Sequence, residues 1–343
     1  MRLKKVFRAR ILRAGAAVAA GKGQRAPSRH DPAICRGTTM RTTATAAHLG
    51  AILLAAACAG LARAQDAPAA AAPPPALADS GRLLLTQGVS NIEGAAGGGL
   101  ATWAVISGYG TRDAVGANAH FTYVGVPGYS LRDYGASVGL FDRVELSYTR
   151  EEFDTGSTGG KLGLGDGFTF DQDIVGLKVK LFGDVVYDQN SLLPQVAVGL
   201  QYKHNDRLAI INAVGGQHAD GIDYYIAATK LFLNQSLVVD ATLRLTKANQ
   251  TGLLGFGGDR NKDYSPEFEG SVGYLLSRRF VVGAEYRTKP NNLGFAREND
   301  WYDVFAAYTL SKNLSVTLAY ADLGAIATFN NQRGVYVSLQ AGF

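Results

Sequence analysis

Val335-Tyr336-Val337-Ser338-Leu339-Gln340-Ala341-Gly342-Phe343 places an apolar side chain at every second position up to a terminal aromatic residue. Successive side chains of an extended chain point to opposite faces, so Val335, Val337, Leu339, Ala341 and Phe343 share one face. The stretch predicts an amphipathic strand. Moving back through the chain, the same period recurs. Leu314, Val316, Leu318 and Tyr320 oppose Ser315 and Thr317, and Tyr302, Val304, Ala306, Tyr308 and Leu310 oppose Asp303 and Thr309. Phe280, Val282, Ala284 and Tyr286 oppose Glu285 and Arg287, and Phe268, Val272, Tyr274 and Leu276 oppose Glu267, Glu269 and Ser271. Further segments run through residues 237–245, 196–203, 175–181 and 143–149.

A soluble sandwich also alternates, so the period alone does not choose the solvent. Three features do. The apolar faces carry Tyr or Phe near an end (Tyr148, Tyr202, Phe280, Tyr286, Tyr302, Tyr308, Tyr320), where amphipathic rings suit lipid headgroups. Residues 65–343 hold 36 of the 42 glycines, roughly twice the average usage of about 7%. The closing segment with Phe343 resembles the signal by which bacterial outer-membrane barrels are recognised for assembly, with Ala341, Leu339 and Val337 on the same face. No stretch approaches 18 consecutive apolar residues, which excludes a helical membrane protein. Strands in lipid must close on themselves, because an open edge leaves backbone groups unpaired. The expected fold is all-β, a transmembrane antiparallel β-barrel.

The composition belongs to two different regions. Of 343 residues, 34 are Lys or Arg and 29 Asp or Glu, a formal charge of +5. Residues 1–64 contain 12 of the basic residues and only one acid, Asp31, so the remainder keeps 22 basic and 28 acidic residues and carries −6. A basic balance confined to a leader excludes a nucleic-acid partner. Residues 40–64 read as a signal peptide: Met40-Arg41, an apolar run over 49–62, then the small-residue box Ala62-Arg63-Ala64. Residues 1–39 are expected to be a mis-assigned upstream extension. Residues 65–80, with Pro73-Pro74-Pro75, are expected to be a periplasmic tether, and 81–343 the barrel. Both cysteines, Cys35 and Cys58, fall in the leader, so no disulfide or thiolate site is expected in the barrel.

Working back from Phe343, short turns at 312–313, 277–278, 232–235 and 204–206 alternate with long loops at 322–333, 288–300, 247–265 and 182–193. The short set is expected in the periplasm and the long set outside. Continuing through 132–141, 117–124 and 101–108 gives fourteen strands, with twelve as the alternative. The rule then fails at two places. The long Gly-rich stretch 152–172 falls on the periplasmic side and the tight turn at Asp142 outside. One wrongly split strand, or a segment folded into the lumen, would repair both.

The stretch Gly81-Arg82-Leu83-Leu84-Leu85-Thr86, then Gly88-Val89-Ser90-Asn91-Ile92-Glu93-Gly94-Ala95-Ala96-Gly97-Gly98-Gly99-Leu100, resembles the opening of a proteobacterial outer-membrane β-barrel family of unknown function. Trp103-Ala104-Val105-Ile106, Gly108-Tyr109-Gly110-Thr111-Arg112-Asp113, Tyr129-Ser130-Leu131-Arg132 and Asp142-Arg143-Val144-Glu145-Leu146-Ser147-Tyr148 continue the likeness. The resemblance implies a bacterial outer-membrane location and brings no catalytic residues.

The polar faces carry six charges of each sign: Arg143, Lys178, Lys180, Lys203, Arg244 and Arg287 against Glu145, Asp240, Glu267, Glu269, Glu285 and Asp303. They are expected to line the lumen, either as a mixed-charge constriction or paired in a closed interior. No catalytic, cofactor or metal residues are identified. Gly156 to Lys161 departs from a phosphate loop at Thr155 and Leu162, and Asp259, Asn261 and Asp263 depart from a calcium loop at Tyr264 and Gly270. An enzyme is not expected, since His120, His204 and His218 show no nucleophile elbow. The expected role is a passive channel or carrier for small solutes. A closed structural or adhesive barrel acting through its loops is the alternative, and an outer-membrane lipid hydrolase the third. Outer-membrane lipid and the barrel-assembly machinery are the expected partners.

Overall fold

The computed structural model describes residues 84–85 and 89–343. The expected extension, signal peptide and tether lie outside the described residues. A two-stranded hairpin comes first, β1 (Val89–Ser90) with β2 (Ala96–Gly97). Twelve longer strands follow: β3 (Val115–Val126), β4 (Tyr129–Leu140), β5 (Val144–Asp154), β6 (Thr169–Phe182), β7 (Gln195–Asn205), β8 (Asp220–Phe232), β9 (Leu237–Thr246), β10 (Ser265–Ser277), β11 (Phe280–Arg287), β12 (Trp301–Ser311), β13 (Leu314–Asp322) and β14 (Arg333–Gly342).

Each long strand pairs antiparallel with its neighbours in the chain. The ring closes where β14 meets β3, in register from Val335 with Gly125 to Gly342 with Asn118. Closure satisfies every edge. The parity read from the sequence holds around the wall. Phe268, Val272, Tyr274 and Leu276 are exposed outward, while Glu269 and Ser271 on the same strand are buried inward. Tyr286, Tyr302 and Tyr320 mark one rim of the apolar outer belt and Phe280 and Tyr308 the other. No helix among the described residues is long and apolar enough to cross a membrane.

The barrel has twelve strands, the alternative number, and the count of fourteen is corrected at two places. Residues 101–108 alternate like a strand but lie inside the barrel, every one of them buried. A periplasmic turn at 204–206 would also demand two strands before 232. Only β8 is there, preceded by the short helix α1, placed here as Leu208–Ala213. Removing that strand exchanges the sides of everything before it. The tight turn at Asp142 joins the short-turn end, where Phe343 also lies, and the segment between β5 and β6 joins the long-loop end. Two exceptions remain: the long connection 183–194 between β6 and β7 sits among the short turns, and the tight turn 127–128 between β3 and β4 sits among the long loops.

Candidate functional site: a plugged lumen

Every residue from 89 to 110 is buried, because this segment runs through the lumen before the chain enters β3. An irregular segment inside a barrel exposes amide groups that no sheet completes. Wall side chains supply their partners. Glu145 accepts the N–H of Ala96 at 3.0 Å and of Ser107 at 2.9 Å; Glu269 accepts that of Thr102 at 2.8 Å and Glu285 that of Leu100 at 2.6 Å. Lys178 donates to the carbonyls of Ala96 and Val105 at 2.9 and 3.0 Å, and Arg287 to that of Leu100 at 3.2 Å. Gln195 donates to Ala104 and Gln201 to Glu93. Small residues let the plug approach: a Cβ on Gly98 would stand 1.6 Å from Glu285 Oε1.

The plug also brings its own charge. Glu93 lies between Lys203 at 2.5 Å, Arg287 at 2.9 Å and Arg244 at 3.3 Å. Three cations around one carboxylate offset the cost of taking it out of water. Glu269 bridges Arg244 at 2.5 Å and Arg287 at 3.4 Å, and Asp223 closes the network on Lys203 at 2.7 Å. Lys178 pairs with Glu145 at 3.2 Å, Asp240 accepts from Thr229 at 2.5 Å, and Asp303 stands in register with Glu285.

Ten of the twelve expected lumen residues are therefore buried inside. Lys180, the outermost of the ten, pairs with Asp142 at the short-turn end. Arg143 is exposed at that same end, donating to the carbonyls of Lys180 and Leu181. Glu267 sits near the long-loop rim and accepts from Thr288. Phe343, Leu339 and Val337 face outward, with Ala341 half-buried beside them. Sequence reasoning missed Glu93 and Asp223. Glu93 lies in a segment with no strand period, and β8 carries Tyr225 on its inner face, which blurs the alternation.

His120 is buried at 3.1 Å from Asp133 and 3.3 Å from Thr149. Both contacts are made by Nε2, so the ring does not link a hydroxyl on one nitrogen to a carboxylate on the other, as a nucleophile relay requires. No group of three potential metal ligands occurs among the described residues. The failed phosphate-loop stretch is a short helix, α2 (Gly156–Leu162), and Asp259 accepts the N–H of Gly294 within the long loops.

Above the plug, at the long-loop end, the lumen changes character. A cavity of about 70 Å³ is lined by Ile92 and Leu100 of the plug, by inward residues such as Val124, Phe170 and Trp301 of the wall, and by the loops. Leu162 and Leu164 reach it, so the stretch 152–172 folds over the mouth. A second apolar cluster, with Trp103, Val105, Val185, Leu231 and Val238, seals the short-turn end. The interior is thus apolar, then charged, then apolar along the barrel axis.

A family model described as "Protein of unknown function (DUF3034)" matches residues 86–340. No curated protein sequence matches the chain. Among solved structures, the KdgM porin is 11% identical with a TM-score of 0.43, over 66% of this chain and 99% of the porin. The NanC porin is 11% identical with a TM-score of 0.44, over 66% and 98%. The Salmonella typhi outer membrane phospholipase (OMPLA), solved as a dimer with bound calcium, is 12% identical with a TM-score of 0.37, over 69% and 91%.

Proposed function

The chain belongs to the DUF3034 family of proteins of unknown function, and from the contents of its lumen we propose a gated outer-membrane carrier of small solutes, closed at rest by residues 89–110. The apolar outer belt with aromatic residues at both rims supports a lipid surround, and the longer loops gathered at one end support an outward orientation for that end. On this reading the short turns face the periplasm, where the assembly machinery would meet the outward Phe343 face. The protein moves solute without converting it.

The observation that carries the reading is the complete burial of the plug together with the pairing of its backbone to wall side chains. A plug bonded in this way is held by many separable contacts, each worth about 0.5–1.5 kcal/mol, with those to charged groups about 1.5–3. It can leave as a unit without unfolding the wall, whose strands pair only with one another.

The test is a crosslink. Ser107 of the plug and Ser137 of β4 bring their hydroxyl oxygens to 2.5 Å, both buried. A Ser107→Cys, Ser137→Cys protein expressed without the leader has no other thiol. Reconstituted in liposomes and planar bilayers, it is expected to show solute uptake and conductance steps when reduced and neither when oxidised. Equal flux in both states would overturn the gate. Silence in both would favour the closed structural barrel acting through its loops.

A further inference from the structure

We propose that the cavity above the plug is a binding site for a short-chain alkyl compound carrying one hydrogen-bond acceptor, and that this is the solute class the barrel takes up. The inference rests on the gated-carrier reading for its second half, while the site itself stands on the geometry.

Barrel lumens are ordinarily polar, because they hold water or charged side chains. This cavity is lined almost wholly by carbon, although it lies only one layer above the Glu93 network. The apolar groups come from places where polar residues are the rule. Leu164 comes from the loop after α2, Ile210 and Val214 from α1 and the residue that follows it, and Leu253 and Leu254 from the connection between β9 and β10. Three separate loops turn leucine and isoleucine inward around a mostly apolar space, where water finds few partners.

Ser130, Thr155, Gln250 and Thr251 also border the cavity, and two of its side chains, Trp301 and Tyr336, carry a buried polar atom without a hydrogen-bond partner. Trp301 borders the cavity, is 5% exposed, and its indole N–H has no hydrogen-bond partner. A buried donor without an acceptor costs the desolvation of that group, and a ligand oxygen would recover it. The volume sets the size. It is about half that of an apolar cavity of ~150 Å³ known to admit benzene, so an alkyl chain of a few carbons fits and a peptide does not.

The chain has two tryptophans, so Trp103→Phe leaves Trp301 as the sole reporter. The full barrel carrying that change, in lipid nanodiscs, is titrated with 4-bromobutan-1-ol, whose heavy atom quenches indole on contact. Saturable quenching that butan-1-ol reverses is expected. Ala321 lines the cavity, and Ala321→Phe would fill it, weakening the apparent affinity about tenfold or more. If that variant fails to fold, the butan-1-ol displacement still decides. Quenching that rises linearly with bromide compound and ignores butan-1-ol would overturn the site. Binding without any flux through the reduced crosslink protein would leave the site standing and remove the carrier. Flux without binding would do the reverse.

Discussion

Glu93, at the tip of the plug, and Lys203, on the wall strand β7, meet at 2.5 Å with neither side chain in contact with solvent. Arg287 and Arg244 complete the cage. Glu93→Gln would leave three buried cations to the remaining acids, Asp223 and Glu269. Removing one partner of a buried ionic group costs about 3–5 kcal/mol. The variant is expected to loosen the plug without opening the wall, seen as conductance steps in planar bilayers more frequent than in the parent. Unchanged closure would show that the backbone contacts alone hold the plug.

A steric change should reach the same end by another route. A Cβ at Gly139 on β4 would stand 2.1 Å from the carbonyl oxygen of Ser107, a backbone atom that cannot turn aside. Gly139→Ala is expected to push the plug from its seat, at an overpacking cost of about 1–3 kcal/mol. The readout is trypsin cleavage at Arg112, which lies just outside the buried segment. Faster cleavage there, with the barrel still resisting denaturation on unheated gels, is the expected result.

The solvent of the outer face can be tested with one residue. Leu318 sits in the middle of β13, 54% exposed, in register with Ala306 and Val337. Leu318→Arg is expected to lose about 2–4 kcal/mol in denaturant titrations from lipid vesicles if that position meets acyl chains. On a sheet facing water the same change would stay within about 0.5 kcal/mol. The smaller value would remove the membrane from the account.

Lys289, in the connection between β11 and β12, supplies a pH dependence. Burial pushes its ammonium down to about 8, against the pull of Glu298 at 3.4 Å. Its folded value lies below its unfolded one, so between about 8 and the ordinary 10.5 the unfolded chain binds more protons. This group therefore makes stability rise with pH across that window. Its Nζ lies 4.2 Å from the Trp301 ring centroid, so in the Trp103→Phe protein the emission should titrate with a midpoint near 8. Lys289→Met should abolish the transition; a flat profile from about pH 6 to about pH 10 in the parent would contradict the assignment.

The alternation in 335–343, 314–320 and 302–310 determined the wall by itself, because which face a strand residue takes follows from the parity of its position and from nothing farther away. It also assigned Lys178, Lys203, Arg244, Glu269 and Arg287 to the interior before any partner was known. Parity does not say whether an alternating segment such as 101–108 belongs to the wall or to what the wall surrounds, and so the strand number stayed open between twelve and fourteen. Only the closed ring decided it, because the plug is held by partners 30 to 250 positions away, from Ser107 with Ser137 to Ser90 with Gln340. The apolar cavity is of the same kind: its lining comes from plug, wall strands and loops scattered through the chain, and a cavity is a property of their meeting that no single stretch of residues encodes.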